Sequence, residues 1–342
     1  MHIVIDENIP EAQVFEAFGR VTRLAGRSMQ ASDVRDADAL IVRSVTQVDQ
    51  ALLEGSSVRF VGTCTIGTDH LDLEYLSKQG IGWTNAPGCN AQAVVEYVLA
   101  ALEVLVQRTG DSLEEKCFGI VGVGNVGSRL AHTLGKLGFK VLLCDPPRRE
   151  QEQLADYVSL AEILARCDVI SLHTPLEVSG QWPTHHLLSE AELKQLHTGA
   201  WLLNAARGPV IDNQALLAHL RHKPSLEVVL DVWEGEPDFE PELPALCQLA
   251  TPHLAGYSLD GKIRGTERVF NAFCQFFALT AQRAVAYPKP VLEQVNLDSL
   301  AGLAQWRGCL STLLYDPRTD DAAMRRLSSL PTSERKAGFD AL

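Results

Sequence analysis

Residues Gly119 to Asp145 read GIVGVGNVGSRLAHTLGKLGFKVLLCD, and no other segment limits the possible folds of this chain so tightly. It contains G-x-G-x-x-G as Gly122, Gly124 and Gly127. The apolar run from Cys117 to Val123 reads as a buried parallel strand. After it, Val126, Leu130, Leu134 and Leu137 fall on one face of a helix, and Gly138 is placed to end that helix. VLLCD then reads as a second strand ending in Asp145. Each part has a task around a dinucleotide. The glycines allow a tight turn, a close backbone approach to pyrophosphate and close helix–strand packing. The helix N-terminus favours phosphate charge, and the acid accepts hydrogen bonds from the adenosine ribose hydroxyls. Glycine-rich turns alone are common; strand, helix, second strand and acid in this order are a far stronger signal.

Composition narrows the class. With 342 residues the chain is long enough for two domains, and 46% hydrophobic and 21% charged residues are ordinary for a globular protein. A net charge of −13 argues against nucleic acid or an anionic membrane as the main partner. The start, MHIVIDENIP, has no basic segment and no long apolar core, so no signal peptide is expected. The most apolar helix, from Val94 to Val106, is interrupted by Glu96 and Glu103 and is too short to span a bilayer. The eight cysteines include no C-x-x-C pair and read as reduced, mostly buried thiols of a cytoplasmic protein. No metal is expected: His185 and His186 are adjacent and cannot share a helix face, and His219 and His222 sit beside Arg221 and Lys223 on a solvated surface.

Strands alternate with helices twice along the chain, which implies parallel sheets. In the first series HIVIDE, ALIVRS, VRFVGTC and GIGWTN read as strands, with helices at 10–18, 49–53 and 72–79. The second series contains the fingerprint. Two capping boxes, Ser159-x-x-Glu162 and Ser189-x-x-Glu192, open helices within it, and Asp212 opens a third. DVISLH, WLLNAA and LEVVLDVW are its further strands. The expected architecture is α/β: two Rossmann- or flavodoxin-like domains with a cleft between them. Residues 1–92 and 258–284 form a discontinuous substrate-binding domain, and 93–257 the nucleotide domain. A small C-terminal α/β module at 285–342 would serve association.

The chemistry is expected at strand ends. NAARGPVID places Arg207 just past one strand, DVWEGEP places Asp231 and Glu236 past the next, and TPHLAGYS places His253 near the last. Ligands bind at the carboxyl ends of parallel strands. An arginine there can hold a carboxylate with two parallel hydrogen bonds, a histidine can move a proton near neutral pH, and a glutamate can orient the ring and favour its protonated form. Singly each residue has a bland reading; together, downstream of a dinucleotide fold, they suit oxidation of a 2-hydroxy acid coupled to hydride transfer.

NAPGCNAQAVVEY, GIVGVGNVG, HTPL, NAARGPVID, DVWEGEP and TPHLAG are long motifs, and across residues 1–280 the chain resembles the D-isomer-specific 2-hydroxyacid dehydrogenase family. The resemblance implies Arg207, Glu236 and His253 as catalytic residues. It implies NAD as cofactor, contacted by Asn125, Val126, Asp145, Thr174, Ala205, Asp231 and Gly256 besides the fingerprint glycines. IDENIP, VRSVT, CDPPR and AGYSLDGKIRGT point within the family to a small phosphorylated 2-hydroxy acid, with Ser44, Thr65 and Tyr257 as substrate contacts. Arg43, Lys262 and Arg264 are candidates for its phosphate by charge. The resemblance also implies a homodimer formed by a C-terminal module that, in relatives, runs on past a segment like AGFDAL, where this sequence ends. Two rival readings share the scaffold: a phosphoglycerate or glyoxylate enzyme, and an NAD-sensing binding protein.

Overall fold

The computed structural model describes residues 1–222, 225–280, 284–289 and 315–341. The apolar stretch at 303–314 and Cys309 lie outside them. The chain divides into two compact units, residues 1–91 with 257–295 and residues 92–256 with 296–342.

The first unit is built on β1 (His2–Asp6), β2 (Arg20–Leu24), β3 (Ala39–Val42), β4 (Phe60–Thr63) and β5 (Gly82–Thr84), all parallel, in the order β2-β1-β3-β4-β5. The central strands β1, β3 and β4 are almost wholly buried, which is why they read as continuous apolar runs. Sequence reasoning missed β2. As an edge strand with Arg20 and Arg23 exposed it has no apolar run to announce it, and its pairing with β1 makes it a strand. Helix Leu259–Phe276 packs on β4 within this unit and turns Val269, Phe270 and Phe273 into the core. Phe273 meets Phe15, Phe60 and Phe277 at centroid distances of 5.3, 5.9 and 5.0 Å.

The second unit contains β6 (Cys117–Val121), β7 (Lys140–Cys144), β8 (Val169–Leu172), β9 (Trp201–Asn204), β10 (Glu227–Leu230) and β11 (Leu249–Ala250). They are parallel, in the order β11-β10-β9-β8-β6-β7. Beyond β7 a single parallel bridge joins Leu143 to Tyr157. Counting it as a vestigial strand gives the doubly wound dinucleotide-binding order, whose switch point lies between β6 and β8. Both capping boxes form as expected, at helices Leu160–Arg166 and Glu190–Leu193, and the Asp212 carboxylate caps Asn213–His222 by accepting from Ala215 N at 2.9 Å. Helix Ala91–Thr109 lines one face of the sheet with Val95, Val98, Ala101 and Leu105.

Residues 315–341 were expected within a separate C-terminal module. They form helices Arg318–Ser328 and Thr332–Ala341, which pack in the second unit beside β11. Met324 and Leu327 enter its core. Asp321 accepts from Ala250 N at 2.8 Å, and Arg325 donates to the carbonyls of Pro244 and Cys247 at 2.8 and 2.9 Å. Periodicity does not record this attachment, because its polar contacts run to backbone amides and carbonyls. Among the described residues seven cysteines are free and buried, and no helix is long and apolar enough to cross a membrane.

Phe273 is fully buried. Phe273→Ala should lower the stability of the first unit by about 3–5 kcal/mol, read as a lowered urea midpoint; a loss below about 1 kcal/mol would mean the aromatic cluster does not carry that unit.

Candidate active site

The dinucleotide cradle forms where β6 meets helix Asn125–Lys136. Gly122 has φ +84°, and a Cβ there would stand 2.7 Å from the backbone of His173 and Thr174; a Cβ on Gly127 would stand 2.0 Å from the Gly122 carbonyl oxygen. The fold itself demands these two glycines. Gly124 is different: no protein atom lies within 4 Å of where its Cβ would be. Its bareness leaves room for a ligand to approach the backbone. The helix begins there without a side-chain cap, so its first N–H groups are available to an anion. Nearby, the Thr174 hydroxyl and His173 Nδ1 are buried without a hydrogen-bond partner, as groups awaiting a ligand would be. Burial lowers the His173 pKa to about 4, so the ring is neutral, and its Nε2 lies 2.8 Å from the Ser171 hydroxyl. These features fit a dinucleotide.

Asp145 directly follows the adjoining strand β7 and caps helix Pro146–Gln151. Its carboxylate accepts from Val123 N at 2.8 Å and Arg148 N at 3.1 Å, so it is oriented by the fold yet keeps lone pairs for ribose hydroxyls. Arg148 is committed elsewhere: it grips Glu152 at 2.7 and 2.8 Å and donates to the Val123 carbonyl at 2.5 Å.

The expected catalytic pair, Glu236 and His253, lies past β10 and β11. His253 Nδ1 pairs with the Glu236 carboxylate, whose other oxygen accepts from Trp233 N at 3.0 Å. With Nδ1 engaged by Glu236, Nε2 is the other ring nitrogen. Desolvation of the ring works against its charged form, but the hydrogen bond and charge of Glu236, with Asp231 behind, outweigh it and raise the His253 pKa; Arg207 pulls the other way. Arg207 is therefore near enough to be felt electrostatically. It follows β9, its Nη1 donating to the Ala206 carbonyl at 2.8 Å. His253 has φ +54°, a strained conformation for a residue with a side chain.

That conformation is held by Asp231, which is 1% exposed. One carboxylate oxygen accepts from Thr251 Oγ1 at 2.6 Å and Leu254 N at 2.9 Å, and the other from Ala255 N at 2.9 Å. The Asp231 backbone carbonyl accepts from His253 N at 2.6 Å. The hydroxyls of Tyr97 and Thr251 stand 2.7 Å apart, and Trp233 Nε1 donates to the Thr251 carbonyl at 2.9 Å. Sequence reasoning cast Asp231 as a cofactor contact and passed over Tyr97 and Thr251, whose only signal was a place in the NAPGCNAQAVVEY and TPHLAG motifs. Ala205 and Gly256 are half-buried, beyond β9 and after the His253 loop respectively.

The expected substrate contacts lie in the first unit. Ser44 is exposed just past β3. Thr65 follows β4, its hydroxyl 2.7 Å from that of Thr63, which in turn lies 2.9 Å from His70 Nε2. Tyr257 is exposed, with Lys262 Nζ 3.4 Å from its ring centroid; Lys262, and more weakly Arg43, lower its phenol pKa. Arg43 Nε faces the buried Asp6 carboxylate at 3.3 Å.

Fold and site together define a dinucleotide-dependent dehydrogenase. The chain belongs to the D-isomer-specific 2-hydroxyacid dehydrogenase family: residues 101–255 match that family's NAD-binding domain, and NAD is the cofactor. Along its whole length the chain is 54% identical to the erythronate-4-phosphate dehydrogenases of Pseudomonas putida and Ectopseudomonas mendocina, covering 90% of each. Among solved structures it resembles NAD+-bound 3-phosphoglycerate dehydrogenase of Entamoeba histolytica, with 25% identity, a TM-score of 0.70, and 84% of this chain and 99% of that one covered. It also resembles a D-lactate dehydrogenase from Aquifex aeolicus complexed with NAD and lactic acid, with 25% identity, a TM-score of 0.64, and 81% of this chain and 96% of that one covered.

Because Asp145 repels a 2′-phosphate and Arg148 is occupied by Glu152, kcat/KM should favour NAD over NADP; equal values in a steady-state comparison would defeat this. Oxidation of an alcohol needs neutral imidazole, so kcat/KM should rise with pH through the raised His253 pKa. Glu236→Gln removes the anion that raises it and should move that limb to lower pH, while His253→Ala should cut kcat about 10²–10⁴-fold. An unmoved limb in the glutamine variant would remove Glu236 from this role.

Proposed function

We propose that this chain oxidises 4-phospho-D-erythronate to (R)-3-hydroxy-2-oxo-4-phosphobutanoate, a step in the formation of pyridoxal 5′-phosphate. The observation that carries this reading is the 54% identity, over the full chain, to enzymes named for that substrate, against 25% to a 3-phosphoglycerate dehydrogenase. The same contrast disfavours a phosphoglycerate or glyoxylate enzyme, and a paired Glu236 and His253 beside Arg207 disfavours a protein that only senses NAD.

Bound NAD supplies the acceptor for the hydride lost from C2. Gly122, Gly124, Asn125, Val126 and Gly127 take its pyrophosphate, and Asp145 its ribose; Thr174, Ala205, Asp231 and Gly256 line the rest. Arg207 holds the C1 carboxylate and the C2 oxygen with its planar donors, fixing the face that reacts. His253 Nε2 takes the C2 hydroxyl proton, and Glu236 stabilises the imidazolium that forms. Thr65 adds a hydroxyl for the carboxylate. Ser44 and Tyr257 meet the substrate's far end, with Arg43, Lys262 and Arg264 as the cations for its phosphate. The working enzyme is a cytoplasmic homodimer.

A site built for phosphate leaves buried donors unpaired when the phosphate is missing, at about 1–3 kcal/mol each. Two such donors imply a loss on the order of 10²-fold or more in kcat/KM for unphosphorylated erythronate. Nicotinamide absorbance assays on the two substrates test this, and similar efficiencies would sink the specific assignment while leaving the family intact.

A further inference from the structure

His185 and His186 were set aside as metal ligands because neighbours in sequence cannot share a helix face. They are not on a helix. They sit in a turn before helix Glu190–Leu193, where their rings stack with centroids 4.0 Å apart and planes 22° from parallel. His186 has φ +51°, a conformation that costs energy for a residue with a side chain. The loop after β10 brings Glu234 to this pair. His186 Nε2 lies 2.6 Å from Glu234 Oε1, and one donor atom from each of His185, His186 and Glu234 lies within 4.8 Å of the other two. The second Glu234 oxygen accepts from Asn213 N at 3.1 Å, which orients the carboxylate as outer-shell partners of metal ligands do. The residues around this trio add charge: His186 and Glu234 line an open pocket of about 660 Å³ together with Asp212, Asp238 and Glu240, against the one cation Arg335. Asp212 Oδ2 is 3.8 Å from His186 Nδ1.

We propose that His185, His186 and Glu234 form a binding site for a divalent transition-metal ion, Zn²⁺ above all, separate from the His253–Glu236 pair. Ligand type decides the metal. Two imidazoles with one carboxylate suit Zn²⁺, whereas Mg²⁺ and Ca²⁺ take oxygen ligands. Distance agrees. Metal–ligand bonds of about 2.0–2.2 Å put tetrahedral ligands roughly 3.5 Å apart, so the stacked rings have to turn out of parallel for both nitrogens to face the ion, with water in the fourth position. The acidic pocket provides an entry path and a field that concentrates cations. Glu234 is two residues from Glu236, so a bound ion fixes the loop that carries the partner of His253.

The test is equilibrium dialysis of the full-length protein with Zn²⁺, paired with visible absorption of the Co²⁺-loaded form. One equivalent should bind with a Kd of about 1–10 μM, and Co²⁺ should show the intense bands of a tetrahedral site. His186→Gln and Glu234→Gln, each checked for folding by circular dichroism, should weaken binding at least 10-fold, and His253→Ala should leave it unchanged. Should one of the first two fail to fold, His185→Ala takes its place. No saturable Zn²⁺ binding below about 100 μM, wild-type affinity in the folded site variants, or loss of binding in His253→Ala would each overturn the proposal.

Discussion

A buried carboxylate organises the loop that carries His253 in the second unit. Asp231 is sealed from solvent, and burial pushes its pKa up while the nearby His253 charge and its hydrogen-bond donors pull it back. Three donors converge on it from the 251–255 loop, and its own carbonyl takes the His253 amide. Each donor left unpaired in so dry a place would cost about 1–3 kcal/mol. The loop therefore has essentially one arrangement, and that arrangement includes the left-handed backbone at His253. Strain at His253 is tolerated because the network around Asp231 over-determines it.

From that anchor the electrostatics of the site follow. Glu236 comes from the loop after β10 and His253 from the loop after β11, strands paired directly through Val229–Leu249 and Leu230–Ala250. Adjacent strand ends bring the Glu236 carboxylate and the His253 ring together without a long side-chain reach. Glu236 tunes the imidazole toward its protonated form, and Arg207, arriving from β9 one strand further, tempers that shift while offering donors to a carboxylate. The parallel sheet thus sets Arg207, Glu236 and His253 past consecutive strand ends.

The C-terminal helices extend the same unit. Arg325 satisfies two backbone carbonyls near helix Leu243–Leu246, and Asp321 takes the β11 amide of Ala250. Arg335 donates to the Phe239 carbonyl at 3.1 Å and faces Asp238 at 3.5 Å. These contacts tie a segment remote in sequence to the short strand that precedes His253 and to the loop that follows Glu236. Since β11 spans only Leu249–Ala250, the added partner on its open side gives the edge a cover that two residues of pairing do not.

Much of this was legible in the residues themselves. The fingerprint around Gly122, the capping boxes at Ser159 and Ser189, the apolar strands and the Arg207, Glu236 and His253 set are local signals. Each depends on residue type and short spacing, which a linear chain displays directly. What tertiary structure decided are pairings between distant residues. Thr251 meets a Tyr97 hydroxyl 154 positions away, and Glu234 reaches His186 across 48 positions. The polar edge strand Arg20–Leu24 exists because β1 is beside it, and helices 318–328 and 332–341 join the second unit through carbonyls and amides that any sequence would possess. Periodicity records which face of an element is buried. It carries no record of which buried polar group will find which partner, because that choice is made by the geometry of packing.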